Sequence, residues 1–262
     1  MRYGDEETGA VLVLSDLLVP DYVYRQILQL FLLISIQYSN GLLVLRKNVK
    51  VNYTRKINHF ALFFIPIYLG QGYLHEDSLP LLILGAALAI FKFVFYTKPV
   101  RDRVPLICTM FRSFDRPEDR PHTLLWLTTQ TAVGYVVIIT MGMMLVQHDL
   151  RHLILIPIFI YGIGDGLAEP VGVRFGKHKY GVRALFSSRT YYRSLEGSAC
   201  VWVTGLLVVL AHQAYFTAGQ LGWALAIVPL AMTAAEAVSP HTWDSPLMLL
   251  AGYASLLGIM VL

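Results

Sequence analysis

Eight apolar stretches, most of them about as long as a bilayer is thick, run through this chain and leave room for little besides a membrane bundle. They cover roughly Tyr24–Leu45, His59–Leu74, Leu79–Tyr96, Thr123–Val146, His152–Val171, Leu195–Phe216, Leu221–Val238 and Pro246–Leu262. A helix needs about 20 apolar residues to cross hydrocarbon, and in lipid a helix satisfies its backbone hydrogen bonds within itself. Charged residues make up only 15% of the 262 positions, against about a quarter in soluble domains. That shortage excludes disorder, which needs high charge and low hydrophobicity, and argues against a water-soluble globule. The expected fold class is all-α: a polytopic helical bundle of about eight transmembrane helices, with residues 1–262 forming a single integral membrane domain. The second stretch is short and carries Pro66, which predicts a tilted or broken helix. Val11–Val19 is short and holds Asp16, which suits an interfacial or re-entrant piece. Gly4-Asp5-Glu6-Glu7 stands where a cleavable signal peptide would be basic. Cys108 and Cys200 give neither a disulfide framework nor zinc spacing.

The placement of charge sets an orientation. Arg46, Lys47, Lys50, Arg55 and Lys56 lie between the first and second stretches. Lys98, Arg101, Arg103, Arg112, Arg116 and Arg120 lie between the third and fourth, and Arg174, Lys177, Lys179, Arg183, Arg189 and Arg193 between the fifth and sixth. Seventeen of the 21 Lys and Arg therefore occupy three alternate connections. The positive-inside rule puts those connections in the cytoplasm and both termini outside. The Asn52-Tyr53-Thr54 sequon falls on the cytoplasmic side of that scheme and is discounted.

Five carboxylates sit where the membrane should disfavour them. Asp165, Glu169, Glu196, Glu236 and Asp244 lie in, or at the cytoplasmic ends of, the last four stretches. An ionised carboxylate at membrane depth costs a few kcal/mol or more, so such groups face a cavity, a cation or a partner. Asp165 and Glu169 are four apart and share a helix face. Magnesium suits such a pair, because it takes carboxylate oxygens and keeps positions for water and phosphate. The simpler alternative is that Lys or Arg of the adjacent loop neutralises them. Gly162, Gly164, Gly166 and Gly172 surround the pair; such glycines serve close helix packing or let a phosphate reach backbone N–H groups. Pro170 is expected to end this helix. Beyond it, Lys177-His178-Lys179, Arg183, Arg189 and Arg193 lead into Ser194-Leu195-Glu196-Gly197-Ser198, with Ser194 a plausible N-cap. A helix start beneath clustered cations can bind an anion, although some of those cations serve orientation or lipid headgroups. Nucleotide P-loop, zinc-protease and nucleophile-elbow motifs are absent from the sequence. His59, His122, His178 and His241 fall on the same face without metal-ligand spacing.

Three of these segments together resemble the polyprenol kinase family, the integral-membrane group of phytol kinase, dolichol kinase and the CTP-using diacylglycerol kinases. Gly164-Asp165-Gly166-Leu167-Ala168-Glu169-Pro170-Val171-Gly172, continuing to Phe175-Gly176-Lys177, is close to the phytol-kinase-like signature. Arg193-Ser194-Leu195-Glu196-Gly197-Ser198 is similar to its basic-[ST]-x-E-G-S element, and Arg55-Lys56-Ile57-Asn58-His59 to its early R-K-x-x-H. Glu236-Ala237-Val238-Ser239 with Asp244 resembles its closing element, except that Ser245 replaces the usual Asn. The resemblance spans roughly Arg55 to Pro246. It implies transfer of the γ-phosphoryl group of CTP to an isoprenoid alcohol or diacylglycerol, with magnesium, at the cytoplasmic face. It places the catalytic part mainly in 152–262 plus the connection 46–59. Asp165, Glu169 and Glu196 are then expected to serve the metal, with Glu236 and Asp244 among the catalytic carboxylates. Gly164, Gly166, Lys177, Lys179, Arg189, Arg193, Ser194 and Gly197, joined by Arg55, Lys56 and His59, are expected around the nucleotide. The partners implied are a nucleoside triphosphate, a membrane lipid alcohol and the bilayer, and no nucleic acid. The rivals are a cytidylyltransferase making a CDP-lipid, whose K-D-rich C-terminal signature is not evident here, and an ion-coupled transporter, which would carry charge through the full membrane depth.

Overall fold

The computed structural model describes residues 20–69, 79–185 and 189–261. The expectations for Val11–Val19 and for the end of the second apolar stretch lie outside these residues. The described residues are all-α apart from one hairpin. Helix α1 is Pro20–Lys47, α2 Val51–Leu69, α3 Leu79–Phe91 and α4 Pro105–Arg112, followed by the long α5, Thr123–Gln147. Helix α6, Leu155–Phe159, passes through a π-helical turn at Ile160–Asp165 into α7, Gly166–Phe175. The hairpin β1 Lys179–Arg183 and β2 Thr190–Ser194 leads into α8, Leu195–Ala211. Helices α9, Ala218–Val238, and α10, Asp244–Val261, complete the chain.

Among the described residues, five helical rods are long and apolar enough to cross a membrane: Val23–Lys47, Thr123–Gln147, Arg151–Phe175, Ala218–Val238 and Asp244–Val261. They coincide with the first, fourth, fifth, seventh and eighth apolar stretches. Gly85–Tyr96 and Leu195–Ala211 are shorter apolar helices. The second stretch behaves differently. Helix α2 begins well before it and takes in Arg55, Lys56 and His59, so this basic segment is largely helix rather than loop. It can be helical because its polar side chains find partners, with Thr54, Lys56 and Asn58 all buried. The helix also runs unbroken through Pro66.

Two apolar clusters hold the helices, and a third seats the hairpin on α5 through Trp126, Val182 and Tyr191. The larger joins α5, α6, α8, α9 and α10 through Leu145, Ile156, Val201, Met232 and Tyr253, all fully buried. The smaller packs Tyr96, Met110, Phe111 and Phe114 beneath Ile34 and Tyr38 of α1. Where hydrophobic driving force between helices is weak, polar contacts fix them. The Asn40 amide donates to Asn58 Oδ1 at 2.7 Å, and Asn58 donates to Ser113 Oγ at 2.6 Å, tying α1, α2 and the turn after α4.

Pro170 does not end its helix, contrary to expectation; α7 continues to Phe175. Proline removes an N–H from the turn just after the π-helical segment. The Lys56 ammonium donates to the Asp165 carbonyl at 2.7 Å, one residue before the Gly166 carbonyl that the missing Pro170 N–H would have served. A π turn is rare and is frequent at functional sites.

The segment expected to be a basic loop is a hairpin, in which Lys179 pairs with Ser194, and Arg183 with Thr190. The His241 amide donates to the Arg183 carbonyl at 2.9 Å, so the hairpin is anchored to the α9–α10 connection. Ser194 ends β2 and caps α8, its Oγ accepting from the Gly197 amide at 3.1 Å. Ser194→Ala is expected to cost about 1 kcal/mol, measured by thermal unfolding in detergent. An unchanged midpoint would show that the cap carries no stability.

A candidate active site at one end of the bundle

The ends of α7 and α9 and the beginnings of α2, α8 and α10 meet around a polar cavity of about 520 Å³. The hairpin borders it together with the segment Arg116–Glu118. Of the residues singled out from sequence, Asp165, Glu169, Glu236, Asp244, Arg55, Lys56, Lys179, Arg193, Ser194 and Gly197 line it. These residues come from five helices and a hairpin, which is strong convergence for parts so far apart in sequence.

Asp165, at the end of the π turn, is buried and paired with Lys56, whose Nζ lies 2.8 Å from its Oδ2. Glu169, one turn further on, meets Arg116 at 2.7 Å, Arg55 at 3.2 Å and Lys56 at 3.9 Å. The Asn52 amide also donates to it at 2.8 Å. The pair is thus neutralised by protein cations, as the simpler alternative held. Those cations, however, come from α2 and the 116–119 turn rather than from the loop that follows. Despite its ion pairs, Glu169 Oε2 is buried without a hydrogen bond.

Arg116 is a hub. Its Nε donates to Asp119 at 2.7 Å, its Nη1 to Glu169 at 2.7 Å, and its Nη2 lies 3.0 Å from His241 Nε2. His241 Nε2 also lies 2.9 Å from Asp119 Oδ1. With its proton on Nε2 the ring donates to Asp119; without it the ring accepts from Arg116. The ring stacks on Tyr191 of β2, centroids 3.6 Å apart. Burial tends to raise Asp119, but the His241 hydrogen bond and the Arg116 charge outweigh it and hold the carboxyl below its ordinary value. Burial lowers His241 below its ordinary 6.5, and the Asp119 hydrogen bond only partly opposes this. Since the unfolded histidine binds a proton more readily than the folded one, stability rises with pH up to about 6.5 and is lost as pH falls below it. His241→Gln is expected to flatten part of the fall in unfolding temperature between pH 7.5 and pH 5.5. An identical slope in the variant would contradict the assignment.

The second wall of the cavity is built around Arg193. Its Nη2 lies 3.3 Å from Asp244 Oδ2 and its Nε 3.6 Å from Glu236 Oε1. Glu236 is buried and accepts from Ser198 at 2.7 Å and from Tyr180 at 3.5 Å. Thr242, on the rim, has φ 68°, a backbone conformation a β-branched residue rarely adopts, and its buried hydroxyl has no hydrogen bond. Strain and an orphaned buried polar atom are both features of ligand sites.

Other expected residues stand elsewhere. His59 lies behind the cavity, its Nε2 3.0 Å from the Gly162 carbonyl and its Nδ1 4.0 Å from Asp165 Oδ2, so it positions rather than lines. A Cβ on Gly164 would meet the Val201 backbone at 3.0 Å, and one on Gly166 the Phe60 ring at 2.5 Å. Both glycines therefore serve helix packing. Lys177 and Arg189 do not line the cavity; Arg189 donates to the Glu118 carbonyl at 3.2 Å. Glu196 is outside it too, paired with His178 at 2.8 Å. Sequence reasoning passed over Asp119, Tyr180 and Thr242, met Asn52 only as a discounted sequon and Ser198 only as the end of a motif, and took Arg116 and His241 for an orientation charge and a lone histidine.

Among the described residues no three His, Cys, Asp or Glu side chains converge as a metal cage. Asp165 and Glu169 already meet Lys56, Arg116 and Arg55, while Glu169 Oε2, buried without a hydrogen bond, is an oxygen that a magnesium ion could take. Five Lys and Arg and five Asp and Glu line the cavity, so the protein alone offers a polyphosphate no net positive charge there. No family model matches the chain, and no curated protein or solved structure matches it.

Proposed function

We propose that the chain is an eight-span membrane kinase with both termini outside, transferring the γ-phosphoryl group of CTP to a lipid alcohol at its cytoplasmic face. The observation that carries this reading is the cavity. It brings Asp165, Glu169 and Glu236 together with Arg55, Lys56 and Arg193 at one end of a helical bundle. Phosphoryl transfer asks a protein chiefly for positioning and charge, which is what this lining provides. All four segments that resemble polyprenol kinases contribute residues to its lining.

In this reading Asp165 and Glu169 would hold a magnesium ion, which would supply the positive charge that the lining lacks for the phosphates. Lys179 and Arg193 bind the triphosphate, and Arg55 and Lys56 fix the two carboxylates. Glu236 is the carboxylate best suited to orient the alcohol and accept its proton, because its close partners are the hydroxyls of Ser198 and Tyr180. The alcohol oxygen bonds to the γ-phosphorus, the bond to the bridging β–γ oxygen breaks, and CDP leaves. Purified protein given CTP, magnesium and a long-chain alcohol is expected to yield CDP and a lipid phosphate. Release of pyrophosphate with a CDP-lipid would instead establish the cytidylyltransferase.

A further inference from the structure

Beside the polar cavity lies a second one of a different kind. A groove of about 590 Å³ runs along α8 from Glu196 to His212, against the rod formed by α6, the π turn and α7. One wall is Phe159, Ile163 and Leu167; the other is Ala199, Val203 and Leu207. Each set is spaced by four, so each forms one stripe along its helix. Val203 and Leu207 are 46% and 62% exposed, so the groove opens outward along an apolar helix rather than into a closed core. At 1.5 Å per residue its length is about 24 Å, the scale of a single long hydrocarbon chain.

Its polar end adjoins the candidate active site. Leu167 and Glu196 line the groove, while their neighbours Ala168 and Gly197 line the cavity. Gly197 packs so closely that a Cβ there would come 2.7 Å from the Ala168 carbonyl. Only this thin seam divides the two spaces. The group at the mouth is a carboxylate, Glu196, tied to the His178 ring at 2.8 Å and to its backbone N–H, and its negative charge favours a neutral headgroup over a phosphate there.

We propose that this groove binds the chain of a neutral, single-chain lipid alcohol, with Glu196 at its mouth and the hydroxyl reaching past the Ala168–Gly197 seam to Glu236 in the polar cavity. The proposal rests on the kinase reading and adds to it the place where the acceptor lies and the residues that measure its length. Ala199 and Val203 are the length-determining positions, since they flank the groove nearest its mouth.

The test uses the full-length protein in phosphatidylcholine vesicles with a long-chain alcohol bearing a photoreactive diazirine on its chain. Labelling is expected at α8 residues between Ala199 and Leu207, and it should be competed by unlabelled long-chain alcohol but not by added phosphatidylcholine. Val203→Trp, by filling the groove, should lower labelling and long-chain phosphorylation at least about tenfold while leaving a short, water-soluble prenol phosphorylated within about twofold. Labelling spread over other helices, or competed equally by phosphatidylcholine, would identify ordinary boundary lipid and overturn the proposal. Equal losses with the short and long alcohols would overturn it as well. Selective labelling without any phosphorylated product would leave the groove standing and refute the kinase.

Discussion

Asp165→Asn is expected to lower CTP-dependent lipid phosphorylation by at least about 100-fold, the scale seen when one preorganised charge-stabilising group is lost. The amide keeps the shape of the side chain and removes its charge. It loses the charge that would share a magnesium ion with Glu169 and that pairs with the Lys56 ammonium 2.8 Å away, although that ammonium keeps its bond to the residue's own backbone carbonyl at 2.7 Å. Breaking a buried pair costs about 3–5 kcal/mol when one charge is stranded. Here Glu169 Oε2, 3.9 Å from the same ammonium, offsets part of that. The double variant Asp165→Asn with Lys56→Gln removes both charges, so it should unfold close to the wild-type temperature and still be inactive. Near-normal turnover in the single variant would remove Asp165 from the mechanism.

Arg116→Leu should have the largest effect on stability. One guanidinium serves Asp119, Glu169 and His241, and it is itself buried. Its removal leaves two carboxylates facing each other with Arg55 as the nearest remaining cation, 3.9 Å from Asp119 and 3.2 Å from Glu169. A loss of about 3–5 kcal/mol is expected. Arg116→Lys should recover little of it, because a point charge cannot bridge partners that a planar fork reaches in three directions. Thermal unfolding in detergent measures both variants. A lysine variant as stable as the wild type would show that charge alone, and not geometry, matters at this hub.

How much of this was legible in the sequence follows from how local each signal is. Asp165 and Glu169 share a helix face by spacing alone, and the structure keeps them on one helix. Ser194 could be recognised as a cap because its partner, Gly197, is three residues away. Five of the eight apolar stretches are helices long and apolar enough to span, since hydrophobic length is a property of one segment. Arg116 was legible only as one of many loop cations. Its role depends on partners three, 53 and 125 residues away, brought together by packing. Glu196 shows the converse. It lies one residue from Gly197, which lines the cavity, yet one step along a helix turns it into the groove and toward His178. Gly164 and Gly166 looked like a phosphate cradle, but nothing local to them could reveal that Val201 and Phe60 pack where their side chains would be.

The central claim is that the polar cavity at the basic face transfers the γ-phosphoryl group of CTP to a lipid alcohol. Sealed proteoliposomes in which the basic connections face outward test chemistry and orientation together. With γ-labelled CTP and magnesium added outside, label is expected in the organic phase without permeabilisation, and α-labelled CTP should leave none there. Label entering from α-labelled CTP, or no transfer until the vesicles are opened, would contradict the account.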